Sequence, residues 1–338
     1  MMAKIHEVAE AAGVSISTVS YALSGKRSIS PSTRDRVEQA AARLGYQPNA
    51  GARMLAGRRT NIFALTEPFR PDTHAPTHMS FVLATSIAAR RFDYDILLLT
   101  DAEASAGMRR VSASGLVDGI LVLDVAPRDD RVALARSIEV PTVFIGVPED
   151  AEGLVCVDLD FEAASALAID KLADAGHGRV GFVGHSEDAY ERSNFPRRVR
   201  HGLEVAAQRR GIALSVVSPR EGEAGRGDLR DGLRRLLQDS DVTAIALHCD
   251  DSAHRLVLAE LAAARLSVPG DVSLVSIGST FDTGSLSTPI DRIPLDPHAS
   301  CELAVELAAR LADGDTVEAG VRLLAPQYRD SGSVSPPR

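Results

Sequence analysis

The densest group of reactive side chains in the sequence is His248, Cys249, Asp250, Asp251 and His254. Imidazole, thiolate and carboxylate are the ordinary zinc ligands, but they must converge on one point to hold an ion. A strand end sends His248 and Cys249 to opposite sides, and His248 and His254 are not spaced to share one helix face. His74 and His78 lie four apart, yet Pro76 between them argues against a regular helical pair. The expectation is therefore no metal site and no cofactor. Gly176, Gly178 and Gly181 spell GxGxxG, but a dinucleotide site needs that pattern after a strand and before a helix. Here it follows a helical stretch and enters a strand, as turn glycines would. Asp158 and Asp160 could form an acid pair, although Asp160 also fits the N-cap of the next helix. No GxSxG elbow, HExxH or P-loop is present, so the chain does not read as an enzyme.

A different chemistry is concentrated near the start, where hydroxyls and basic residues dominate. Residues 1–60 carry nine Lys and Arg against Glu7, Glu10, Asp35 and Glu38, a charge of +5 in a chain whose total is -9. A basic head on an acidic body suits a polyanion met by the head alone. The helices that must position these groups are legible. Ile5, Val8, Ala9 and Ala12 form one apolar stripe, and Gly13 supplies a tight turn. Ser15 is placed to cap a second helix with the stripe Val19, Ala22 and Leu23, and Ser30-Pro31 opens a third that ends at Gly45. With those stripes inward, Ile16, Ser17 and Tyr21 face out where a recognition helix meets base edges.

Beyond residue 60 the texture becomes strands alternating with helical stretches. Strands are expected at 62–65, 94–99, 119–123, 142–145, 155–157, 180–183, 214–217, 244–247, 272–277 and 291–294, with crossover helices such as 161–175 and 252–266. That rhythm predicts parallel sheets covered on both faces, and ten strands fit two lobes better than one. At 338 residues, 45% hydrophobic, the chain can fill several such cores. Its opening MMAKIHEVAEAAG has no apolar signal segment, and its three cysteines form no CxxC, so a cytoplasmic protein is expected, with no membrane partner.

The sequence VSISTVSYALSG followed by LGYQPNAGARMLAG, together with the βα body, resembles the lactose-repressor (LacI/GalR) family of bacterial transcription regulators across nearly the whole chain. The resemblance implies an all-α helix-turn-helix head with a hinge helix, then a two-lobed α/β core with parallel sheets, like periplasmic binding proteins. On that basis the head spans 1–46, the hinge 47–60 and the core 61–328. The N-lobe would take 61–160 and 290–318, the C-lobe 161–289 and 319–328, and a Ser/Pro-rich disordered tail would follow at 329–338. The implied function is a homodimeric repressor, bound to near-palindromic operator DNA and controlled by a small-molecule effector in the interlobe cleft. Position by position, Ile16, Ser17 and Tyr21 match base-reading positions, and Ser15, Thr18, Ser20, Ser24, Ser30 and Thr33 match phosphate contacts. Ile5, Asn49 and Ala52 complete the DNA-facing set, and Leu55 matches the leucine that wedges into the minor groove. The family often has Arg where Tyr21 stands, so an arginine–guanine contact is unavailable there.

The cleft departs from the family. Polar anchors that hold sugars or purines in relatives correspond to Gly146, Val199, Cys249 and Gly278. The remaining cleft candidates are Phe69, Tyr190, Arg192, Arg198, His248 and Asp250, a set suited to an anionic or phosphorylated ligand. Control without an effector is an alternative, and so is a solute-binding receptor with no regulatory role.

Overall fold

The computed structural model describes residues 3–24, 29–46, 59–70, 74–101, 103–220, 222–239 and 241–338. They belong to two units, Met1–Thr60 and Asn61–Arg338.

The first unit is built from α1 (Ile5–Ala12), α2 (Ile16–Ser24) and α3 (Pro31–Leu44). None is long enough to be stable alone, so their shared interior of Val8, Ala9, Val19, Ala22, Val37 and Ala40 holds them. Gly13 ends α1 at φ 63, a left-handed conformation that only glycine adopts without strain. Ser30 accepts a hydrogen bond from the Thr33 amide at 3.3 Å, capping α3 ahead of Pro31.

The second unit alternates strands and helices. In order they are β1 (Ile62–Thr66), α4 (Ala75–Arg90), β2 (Asp95–Leu99), α5 (Ala104–Ser114), β3 (Gly119–Val122), α6 (Asp130–Ser137), β4 (Thr142–Ile145) and β5 (Val155–Leu159). Then come α7 (Phe161–Asp174), β6 (Arg179–Val183), α8 (Glu187–Arg192), α9 (Asn194–Arg210), β7 (Ala213–Val217), α10 (Gly222–Gln238), β8 (Ala244–Leu247) and α11 (Asp251–Ala263). The last elements are β9 (Ser273–Ser279), β10 (Asp291–Pro294), α12 (Pro297–Asp313) and β11 (Gly320–Leu324).

Two parallel sheets result, ordered β11-β5-β4-β3-β1-β2 and β10-β9-β8-β6-β7. Alternation along each strand fills two cores per sheet. In β3, Leu121 packs towards α4 and α12, while Ile120 and Val122 pack towards α5 and α6. In β8, Ala244 and Ala246 face α7 and α9, and Ile245 and Leu247 face α10 and α11. Strands buried on both faces explain the near-continuous apolar runs in the sequence.

Three expectations are corrected. β10 pairs with β9 in the second sheet, not with the N-lobe, and β11 pairs with β5 in the first sheet, not with the C-lobe. The expected lobe boundaries therefore exchange these two strands; only α12 between them returns to the first sheet's core as expected. Residues 329–338 are not a loose tail. Ser333 donates to the Leu274 carbonyl (2.6 Å) and accepts from the Asp291 amide (2.7 Å), and Arg338 pairs with Asp271 (2.8 Å). The serines that suggested disorder instead satisfy backbone groups of β9 and β10. Among the described residues, no helix is long and apolar enough to cross a membrane.

Candidate nucleic-acid interface and ligand cleft

In the helical unit, the first turn of α2 presents Ile16, 52% exposed, beside exposed Ser17. The Ser15 hydroxyl accepts from the Thr18 amide (3.1 Å) and lies 2.8 Å from the Thr18 hydroxyl. Ser30 and Thr33 make the same pairing at the start of α3 (2.8 Å between hydroxyls). Two hydroxyl-capped helix N-termini offer amides and hydroxyls of the kind that bind phosphate. Tyr21 is half-buried one turn after Ser17, and Thr18 and Ser20 are half-buried. Ile5 packs against the helical core rather than standing out from it. The Ser24 side chain, Asn49, Ala52 and Leu55 lie outside the described residues, as does most of the hinge.

In the second unit, the carboxyl ends of strands from both sheets converge on an inner cavity of about 140 Å³. It opens into a wider cleft of about 820 Å³, and His74, His78, Asp124, His185, Cys249 and Asp250 border both. This is where open α/β sheets bind ligands. The inner walls are aromatic: His185 meets Phe195 and His248 edge-on, with ring centroids 5.6 and 4.8 Å apart, and Phe161 lies beneath.

Glycines at two strand ends make this packing fit. Gly146 has φ 128, and a Cβ there would lie 2.8 Å from the Val125 side chain. Gly278 has φ 66, and its Cβ would lie 3.1 Å from the His248 ring. An acidic anchor at either position would be strained; Gly278 makes room for the His248 ring, and Gly146 for Val125.

His248 Nδ1 lies 2.8 Å from the Ile277 carbonyl, which can only accept, so Nδ1 carries the proton and Nε2 is a bare acceptor. That Nε2 is buried without a partner, as is the Ser279 hydroxyl on the same cavity. Burial pushes the pKa of His248 down to about 3 and that of His185 down to about 4. His254 also falls to about 4 through burial, behind the cavity, where it bonds the Asp250 carbonyl (2.8 Å) and Ser276 (2.9 Å). Imidazole nitrogen chemical shifts, read about one unit below the ordinary histidine pKa, should show all three rings still neutral. A charged His248 would contradict this arrangement.

The opposite wall holds Glu67, 1% exposed, with His78 Nδ1 2.6 Å from its carboxyl. Burial raises the Glu67 pKa; burial also opposes charge on His78, but its hydrogen bond to Glu67 and the negative charges of Glu67 and Asp124 together outweigh it and raise His78 as well. The pair thus holds a proton tightly between them. Asp124, a non-glycine residue at φ 48, accepts from Arg70 (2.8 Å) and from the Ser193 hydroxyl. Glu67, His78 and Asp124 each offer a ligand atom within 4.8 Å of the others, but all three are engaged in these bonds. Buried Arg131 anchors the loop before α6, bonding Asp129, the Thr66 hydroxyl and the carbonyls of Leu123 and Asp124.

Of the residues expected in the cleft, His248 and Asp250 line the inner cavity, and Arg192 and Asp250 line the outer cleft. Phe69, Tyr190 and Arg198 line neither. The Arg198 guanidinium is spent on Asp158 (2.7 Å) and Glu162 (2.6 Å), and Tyr190 is buried. Val199 lies inside the second-lobe core, so its position never reaches the cleft. Asp160 does cap α7, accepting from the Ala163 amide at 2.9 Å. Pro76 does not separate His74 from His78. It sits in the first turn of α4, where a missing N–H costs nothing, and the His78 amide bonds the His74 carbonyl (3.3 Å). The sequence signal for the cleft was thus the set of histidines near strand ends and at the start of α4.

Residues 4–49 match the family described as bacterial regulatory proteins, lacI family, and residues 169–334 match a periplasmic binding protein-like domain. The chain is 24% identical over 330 residues to catabolite control protein A of Priestia megaterium, covering 95% of this chain and 96% of that one. It is 28% identical over 343 residues to the HTH-type transcriptional regulator CelR of Thermobifida fusca, covering 96% and 97%. Among solved structures, the lac repressor dimer bound to operator and the anti-inducer ONPF superposes with a TM-score of 0.82 at 22% identity, covering 99% of this chain and 100% of that one.

Proposed function

Because the chain belongs to the lacI family of bacterial regulatory proteins, we propose that it binds operator DNA as a homodimer through α2, and that a small molecule held between the lobes alters that binding. The observation that carries the reading is the exposed Ile16–Ser17 start of α2, flanked by hydroxyls on a basic head. An isoleucine left half in water at a helix N-terminus is well placed for a thymine methyl in the major groove. Support for the dimer comes from α4, where Met79, Leu83 and Ile87 are 46%, 60% and 43% exposed. Spaced by four, they form one apolar stripe on the helix surface. This reading puts the protein in the cytoplasm with its operator, as a regulator and not an enzyme.

Selection of random duplex DNA by the full chain tests it. A near-palindromic site should emerge, and Tyr21→Arg should change the bases preferred in each half by about 1–3 kcal/mol of discrimination. Selection of the same site by both proteins would remove Tyr21 as a reader. Enrichment of no sequence at all would favour a solute receptor without a regulatory role.

A further inference from the structure

Resting on the reading of the cleft as the effector site, we propose that its mouth is a phosphate subsite and that the effector is a phosphorylated polyhydroxy compound. Its hydroxyls would point inward and its phosphate outward. Arg70, Arg192, Arg220, Arg226, Arg230 and Arg255 line the outer cleft. Among the described residues, the carboxylates lining the same space are Asp124 and Asp250. Both are occupied: Asp124 by Arg70 and Ser193, and Asp250 by the Ala253 amide (2.8 Å) and the Ser252 hydroxyl (2.7 Å). The acids that pair with Arg192, Arg220, Arg230 and Arg255, namely Asp188, Asp228, Glu260 and Asp251, do not line the cleft. Arg226 has no carboxylate partner among the described residues. Among the described residues the mouth thus has more arginines than carboxylates, on a chain of net charge -9, and such a surplus focuses anions.

The inner cavity sets the orientation. Glu67 and Asp158 line it and would repel a phosphate. The His248 Nε2 acceptor and the Ser279 hydroxyl, both buried and unpartnered, call instead for a neutral hydroxyl donor. Phe161 and Phe195 supply apolar faces for the C–H surface of such a compound. Arg70 follows β1 in the first lobe, whereas Arg192 and Arg226 belong to the second. A phosphate shared between them would bind the closed lobes more tightly than separated ones, which is what an effector needs in order to shift the equilibrium.

The test uses the full chain, inorganic phosphate, and hexose monophosphates set against their parent hexoses at matched ionic strength. Inorganic phosphate should raise the thermal midpoint relative to chloride. A hexose monophosphate should bind at least about tenfold more tightly than its parent, as charge-assisted arginine contacts allow. The double variant Arg192→Gln/Arg226→Gln, altered at side chains outside the cores, should lose both effects and melt normally in chloride. No phosphate stabilisation, equal affinity for a hexose and its phosphate, or an unchanged preference in the double variant would each overturn the subsite. The cleft reading fails separately: a compound bound equally by the wild type and by His248→Phe is not seated in the cavity.

Discussion

A Leu83→Glu variant should sediment as a monomer and lose about 10²–10⁴-fold in affinity for the selected operator, the advantage that two linked heads have over one. In a two-fold dimer the same face meets itself, so one substitution sets two carboxylates against each other where Met79, Leu83 and Ile87 would be buried. The change lies on the surface of α4, away from the core formed by Val82, Ala84 and Ala88, so the monomer should stay folded. Sedimentation equilibrium and fluorescence anisotropy read the two effects. A variant that remains dimeric would show that the partner surface lies elsewhere.

Arg131→Ala should be the most damaging single change in the core. Its side chain is 3% exposed and that of Asp129 5%, and five bonds of the guanidinium go to Asp129, Thr66 and two carbonyls. Burial works against the Asp129 charge, and Arg131 outweighs it, holding the carboxyl below its usual pKa. Removing one partner of a buried pair strands the other and costs about 3–5 kcal/mol. For a unit of this size that is roughly 6–20 °C in the thermal midpoint. Arg131→Lys should recover only part, since an ammonium lacks the planar fork. A loss of a degree or two for Arg131→Ala would mean that water replaces the guanidinium. Because Asp124 stands in the loop that Arg131 ties down, ligand affinity should fall along with stability.

The sequence made the strand positions legible because each parallel strand carries a short apolar run, and such runs need burial on both faces. β11 escaped because Arg322 interrupts its apolar run and Val321 and Leu323 remain 41% and 44% exposed. The assignment of β10 and β11 to lobes was not legible, since pairing partners and not local pattern decide which sheet a strand joins. Arg198 looked like an anion ligand from its position, but Asp158 and Glu162, far away in sequence, claim it. His74, His78 and His248 were visible in two separate segments, whereas His185 carried no signal that singled it out. Their convergence was hidden because it depends on the ends of β6 and β8 meeting the start of α4.

The crossed return of the chain has a consequence for how the protein is made. α1 to α3 are complete once residue 46 has been synthesised, so the head can fold while the rest is still being translated. The core cannot. β11 completes the first sheet only after residue 320, and Ser333 joins β9 to β10 later still. On the ribosome, a DNA-binding head therefore precedes its own control domain, and both lobes wait for the same closing stretch of chain. Premature termination in that stretch would release a finished head on an unfinished core, separating DNA contact from its control.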